Sequence, residues 1–160
     1  MITINRLSVT YIDAVEAIQL APEQLRFAGT PQEFLSERCE TTHLHVICNQ
    51  GTVVGYFKLD LAYADKYTYC PSSALGLRAF VIDKQYQGQG LGSAAMRALL
   101  SYLALHYAQY RWLYLGVNCE NPGAYACYKK AGLKVRQEKY LGGPAGPQYI
   151  MYSEISLSLT

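Results

Sequence analysis

The chain has 160 residues, 51% of them hydrophobic and only 16% charged, a balance that suits one compact domain over residues 1–160 and excludes a disordered polypeptide. A net charge of +2 without a basic cluster speaks against nucleic acid as a partner, and no apolar run approaches the roughly 20 residues of a membrane helix. MITINRLSVT alternates like a strand and has no signal-peptide core, so a cytoplasmic protein is expected.

In chain order, Ile2–Leu7 reads as a strand and Tyr11–Leu20 as a helix, while "APEQLRFAG" reads as a loop before a short helix after Pro31. Two strands, His43–Asn49 and Val53–Leu61, are joined at Asn49-Gln50-Gly51, which is hairpin chemistry. Residues 62–73 are polar and Tyr-rich and read as a loop. "ALGLRAFVID" (74–83) then reads as a strand buried on both faces. Leu91–Tyr107 is the clearest helix, with Leu91, Ala95, Met96, Leu99, Leu100, Leu103 and Tyr107 on one face. A buried strand at 111–117 follows. Asn121-Pro122 opens a helix that stops at Gly132, and strands near 133–140 and 148–157 flank "GGPAGP". The expected fold is α/β: a mixed, mostly antiparallel central sheet of about seven strands with about four flanking helices.

Five scattered cysteines without a C-x-x-C pair read as reduced thiols. His43 and His45 share a strand face, yet no third ligand is near in sequence, so no metal is expected. Most of the fifteen tyrosines read as half-buried packing residues with a polar tip.

The chemistry concentrates in "YQGQGLG" (86–92), where glycines recur at every second position before a helix. Such spacing lets the backbone approach a bulky anion, and the free N–H groups and positive dipole end of the helix would hold it. A P-loop is excluded because the chain has no Gly-Lys pair. A dinucleotide fingerprint fits at Gly90–Ala95, but the next strand ends at Val117-Asn118 without the required acid, and too few residues follow for that fold.

Gln87-Gly88-Gln89-Gly90-Leu91-Gly92 resembles the Q/R-x-x-G-x-G/A motif of the GNAT superfamily of N-acetyltransferases, and "VNCENPGAYACYKKAGL" resembles a second motif of that family. Asn121, Ala124, Tyr128, Lys130 and Gly132 fall in register with it, and the likeness spans roughly residues 75–133. The resemblance implies acetyl-CoA as co-substrate. Its pyrophosphate would lie on the backbone of residues 87–93, where Ser93 can add a hydroxyl. The main chain of Phe80, Val81 and Ile82 would meet the pantetheine arm and the acetyl oxygen. It further implies that Asn121 binds the cofactor arm and that Tyr128 protonates the departing thiolate. The acceptor would be a primary amine of a small molecule; the other reading is a non-catalytic acyl-CoA-binding module on the same fold.

One departure is visible. Many family members carry a Glu base where this chain has Gly116, which leaves Glu120, Asp83 or a water relay to a deprotonated amine. "APEQLRF" with "FVIDKQYQGQGLG" is also faintly similar to small bacterial spermine/spermidine acetyltransferases. Their acid before "FVID" is replaced here by Leu77-Arg78; Arg78 would repel a polyamine and could pair with a carboxylate or phosphate, or else simply face solvent. Exposed Tyr and Leu near the C-terminus are compatible with a homodimer.

Overall fold

In a computed structural model that describes residues 1–156, seven strands form one sheet in the order β1-β2-β3-β4-β5-β7-β6. They are β1 Ile2–Arg6, β2 Thr42–Asn49, β3 Thr52–Asp60, β4 Ala74–Ile82, β5 Trp112–Asn118, β6 Lys134–Tyr140 and β7 Gln148–Glu154. Every neighbouring pair is antiparallel except β4 with β5. Leu157, the last position of the expected final strand, lies outside the described residues.

Six helical segments accompany the sheet: α1 Ile12–Glu16, α2 Pro22–Ala28, α3 Pro31–Ser36, α4 Tyr63–Lys66, α5 Leu91–His106 and α6 Pro122–Lys130. The period-2 alternation of β2 and β3 sorts their side chains onto two faces. Leu44, Val46, Cys48 and Tyr56 pack with Val15 and Phe34 of α1 and α3. Ile47, Phe57 and Leu59 face the other way, toward Met96, Leu99 and Leu103 of α5.

Three local expectations need correction. "APEQLRFAG" is a helix, not a loop: Pro22 opens it, Gln24 Oε1 accepts the Ala21 N–H at 2.8 Å, and Gly29 ends it at φ +78°. The helix expected over Tyr11–Leu20 is confined to α1, with a 3₁₀ turn over Val9–Tyr11 before it. Residues 62–73 include the single turn α4, whose Tyr63 lies so close to Gly76 that no side chain would fit there. Around it Tyr67, Tyr69, Tyr114, Tyr140 and Tyr152 form a cluster, and this is where many of the tyrosines serve as packing residues.

The feature that positions the site is the parting of β4 and β5. They pair only at Ala74–Gly76 with Trp112–Tyr114 and are unpaired beyond. On its other edge β4 carries one extra residue: Tyr56 faces Val81 and Lys58 faces Arg78, so a two-residue step on β3 matches a three-residue step on β4. Ala79, within this bulge, has φ +52°. A bulge bends and twists its strand. The parted strands leave an opening in the middle of the sheet.

Candidate functional site

The opening is lined by two cavities. The first, about 670 Å³, runs over the 87–92 turn and the ends of β4, β5 and α6. The second, about 340 Å³, lies among Tyr63, Tyr67, Arg78, Leu115 and Gln148. Phe27, Ala79, Phe80, Gly116, Asn118 and Tyr128 line both, so the cavities meet at Tyr128.

The glycines of the turn divide their work. Gly88 and Gly90 sit at φ +80° and +77°, and an added Cβ at either would meet only open space. Both are needed for backbone conformation. Gly92 has ordinary φ but lies under α6, where an added Cβ would come 2.9 Å from Cys127 Sγ. Gly90 is the N-cap of α5, and the first intrahelical bond runs from the Ala94 N–H to Gly90 O at 3.2 Å. The N–H groups of Leu91, Gly92 and Ser93 are therefore free of the helix and available to an anion.

Of the expected site residues, Phe80, Ile82, Gln87, Gly88, Gly90, Leu91, Gly92, Ser93, Asn121 and Tyr128 all line the first cavity. Two do not. Val81 turns to the opposite face and packs with Val15, Phe34 and Tyr56, while Gln89 is exposed outside the cavity. The Gln87 side chain serves the fold, since its Nε2 donates to Ile82 O at 3.0 Å, alongside Gln24 Nε2 at 2.9 Å. Asn121 caps α6 by accepting the Ala124 N–H with its Oδ1, which leaves its amide N–H groups for the cavity.

Tyr128 is 7% exposed, its ring edge-on to Phe80 with centroids 5.9 Å apart. Burial pushes its phenol well above the usual tyrosine range, so it stays protonated. Its hydroxyl makes no hydrogen bond to the described residues, whereas Tyr63, Tyr102 and Tyr107 each bond another side chain.

Both carboxylates considered as bases have partners of their own. Asp83, 2% exposed, accepts from the N–H groups of Gln19 and Gln85 and lines neither cavity. Glu120 lines the first cavity but is bound to Arg26 at 3.0 Å. Arg78 pairs with buried Asp60 at 3.3 Å, an acid that Lys66 also holds at 2.9 Å. His43 and His45 bond Tyr107 and Tyr102 at 2.7 and 3.0 Å, and among the described residues no three His, Cys, Asp or Glu side chains are grouped to hold a metal ion.

Sequence reasoning missed α2, whose Glu23, Gln24, Phe27 and Ala28 wall the first cavity, and Gln148 in the second. Pro22 and Gly29 were readable signals for α2. Gln148 had none, because only the strand order brings it beside Gly116.

Known proteins agree with this geometry. The chain is 37% identical over 104 residues to a probable spermine N(1)-acetyltransferase of Bacillus subtilis subsp. natto (strain BEST195), covering 60% of this chain and 68% of that one. Its fold is similar to that of the aminoglycoside acetyltransferase AAC(6')-Ib in complex with coenzyme A (TM-score 0.77, 19% identity, 96% and 95% of the two chains). It is similar too to the spermidine N-acetyltransferase of Vibrio cholerae in complex with CoA and spermine (TM-score 0.70, 16% identity, 96% and 95%). Residues 12–133 match the profile of the acetyltransferase (GNAT) family, and with most of its length inside that match the chain belongs to this family.

Proposed function

We propose that the protein is an acetyl-CoA-dependent N-acetyltransferase that acetylates a primary amine of a small molecule by direct attack in a ternary complex. The observation that carries this reading is the meeting of two cavities at one buried and protonated tyrosine. A cofactor in one and an acceptor in the other would meet there.

The first cavity suits the cofactor. Open space above Gly88 and Gly90 and the free N–H groups at the start of α5 fit a pyrophosphate, with Lys130 on the wall to add a positive charge. Beyond Gly76 the edge of β4 that faces β5 is unpaired and offers amide groups to the pantetheine arm, and an N–H there would stabilise the acetyl oxygen as charge develops on it. Acetyl-CoA supplies an acetyl group activated as a thioester. In the overall exchange the amine forms a C–N bond, the C–S bond breaks, and the sulfur takes the electron pair. Tyr128 O–H would give that sulfur a proton, which the phenolate recovers through water from the proton the amine loses.

In the second cavity the charged lining residues are Arg26 and Arg78. Their partners Glu120 and Asp60 do not line this cavity, so it presents no carboxylate to grip the second charge of a polycation such as spermine, and an acceptor with one amine suits it better. Release of CoA thiol from acetyl-CoA, followed across spermine, kanamycin, tyramine and lysine, tests the proposal. No release with any of these amines, together with intact CoA binding, would favour a non-catalytic acyl-CoA-binding module.

A further inference from the structure

The second cavity contains a polar group that the reading above does not use. Gln148 begins β7, and its backbone pairs with Asn118 of β5. Its carboxamide is lodged between two glycines. An added Cβ at Gly116 would displace Gln148 Oε1 from its place, and one at Gly143 would come 2.6 Å from its Nε2 and 3.2 Å from Gly146 O. The segment that carries Gly143 is tied down independently: Asn118 Nδ2 donates to Ala145 O at 3.0 Å, and the Cys119 N–H donates to Pro147 O at 3.0 Å. Neither glycine is at a positive φ. Both leave room for this side chain.

Space made on two elements for a long polar side chain ordinarily serves a hydrogen bond. Here the carboxamide makes none to the described residues, although it is half-buried. It lines the cavity together with Tyr128, Phe80 and Gly116, the residues shared with the cofactor side. A polar group held in such a place and left without a partner has its hydrogen-bonding capacity to spend on a ligand.

We propose that Gln148 is the acceptor-orienting residue, its Oε1, held over Gly116, accepting one N–H of an amine that enters as the free base. This rests on the N-acetyltransferase reading. A carboxamide cannot take a proton at working pH, so it orients the nitrogen lone pair without acting as a base. No carboxylate or histidine lines the second cavity. The charged and titratable side chains facing Gln148 across the cavity are Arg26 and Arg78, both cationic, and Tyr63, Tyr67 and Tyr128. Burial raises Tyr63 and Tyr128 and keeps them protonated. Asp60 lies behind Arg78 and is held by two cations, and Glu120 is held by Arg26. The acceptor's own ammonium must therefore lose its proton to water before attack, and amines of lower pKa are favoured.

The test uses full-length protein and the four amines already named. Gln148→Ala should raise the acceptor KM at least tenfold and lower kcat, with CoA affinity unchanged within twofold and a melting temperature close to that of the parent. Gln148→Glu keeps an oxygen in the same place. It should retain the acceptor KM within about threefold and add an enzyme base, so that the acid limb of kcat/KM moves to lower pH. In the parent protein that limb should shift from one amine to the next, following the acceptor. Gln148→Ala with acceptor KM and kcat within twofold of the parent, or a parent limb fixed at one pH for every amine, would overturn the proposal and leave N-acetylation intact. A parent protein that releases no thiol with any amine would remove both readings.

Discussion

Replacing Tyr128 by Phe removes one oxygen from the point where the cavities meet, and the structure sets the size of the effect. The ring would remain buried and edge-on to Phe80, so packing is conserved. The lost hydroxyl has no partner among the described residues, so no protein group is orphaned, and stability should change by less than about 1 kcal/mol. At the reacting sulfur the loss is larger. A hydrogen bond to a charged atom contributes about 1.5–3 kcal/mol, which corresponds to roughly ten- to 150-fold in rate. Complete proton transfer could extend that toward a thousandfold, but burial limits it by making the phenol a weaker acid. The same dry surroundings also raise the basicity of the departing thiolate, whose reference value is near 8.5, so the donor still has work to do. The expected result is kcat reduced about ten- to a thousandfold, with CoA affinity by calorimetric titration within about threefold and an unchanged melting temperature. Normal kcat at saturating acetyl-CoA, on an amine the parent turns over, would refute the proton-donor role. A lowered melting temperature with near-normal kcat would mark Tyr128 as a packing residue.

Other consequences are open to measurement. Gly90→Val would force a β-branched residue to φ +77° and fill the open space above the turn, so CoA affinity should fall at least tenfold in calorimetry, and unchanged affinity in a folded variant would dismiss the turn as the phosphate site. Gly92→Ala would press on Cys127 Sγ and should cost about 1–3 kcal/mol in urea denaturation. Most of that should vanish in a Cys127→Ala background, and additivity of the two changes would contradict the contact. Burial lowers His45 from its ordinary value to about 3. Because the folded value lies below the unfolded one, the stability it contributes is present above about pH 6.5 and lost as pH falls toward 3, about 2 kcal/mol by pH 5. Gln in place of His45 should flatten the urea-midpoint curve between pH 7.5 and 5, and an unchanged slope would assign the loss to other groups.

The periodic signals were legible in the residues alone. Alternation in β2 and β3, the apolar face of α5, Asn121-Pro122 at the start of α6 and the glycines of the 87–92 turn are all local, because helix and strand periods and turn chemistry act over a few residues. They sufficed for the α/β class and for most of the first cavity. Contacts between distant segments were not legible. The face on which the Val81 side chain packs was one such case, since the pleat, with the bulge at Ala79, turns it toward α1 and α3. Glu120 and Asp83 looked available until folding brought Arg26 to one and the N–H groups of Gln19 and Gln85 to the other. The clearest case is Gly116, which in sequence is only a missing acid. Antiparallel pairing of β5 with β7 brings Gln148 from 32 residues further along the chain into the space that glycine leaves. A gap in one strand can be read from its residues, but the side chain that fills it depends on which strand lies alongside, and that is decided by long-range packing.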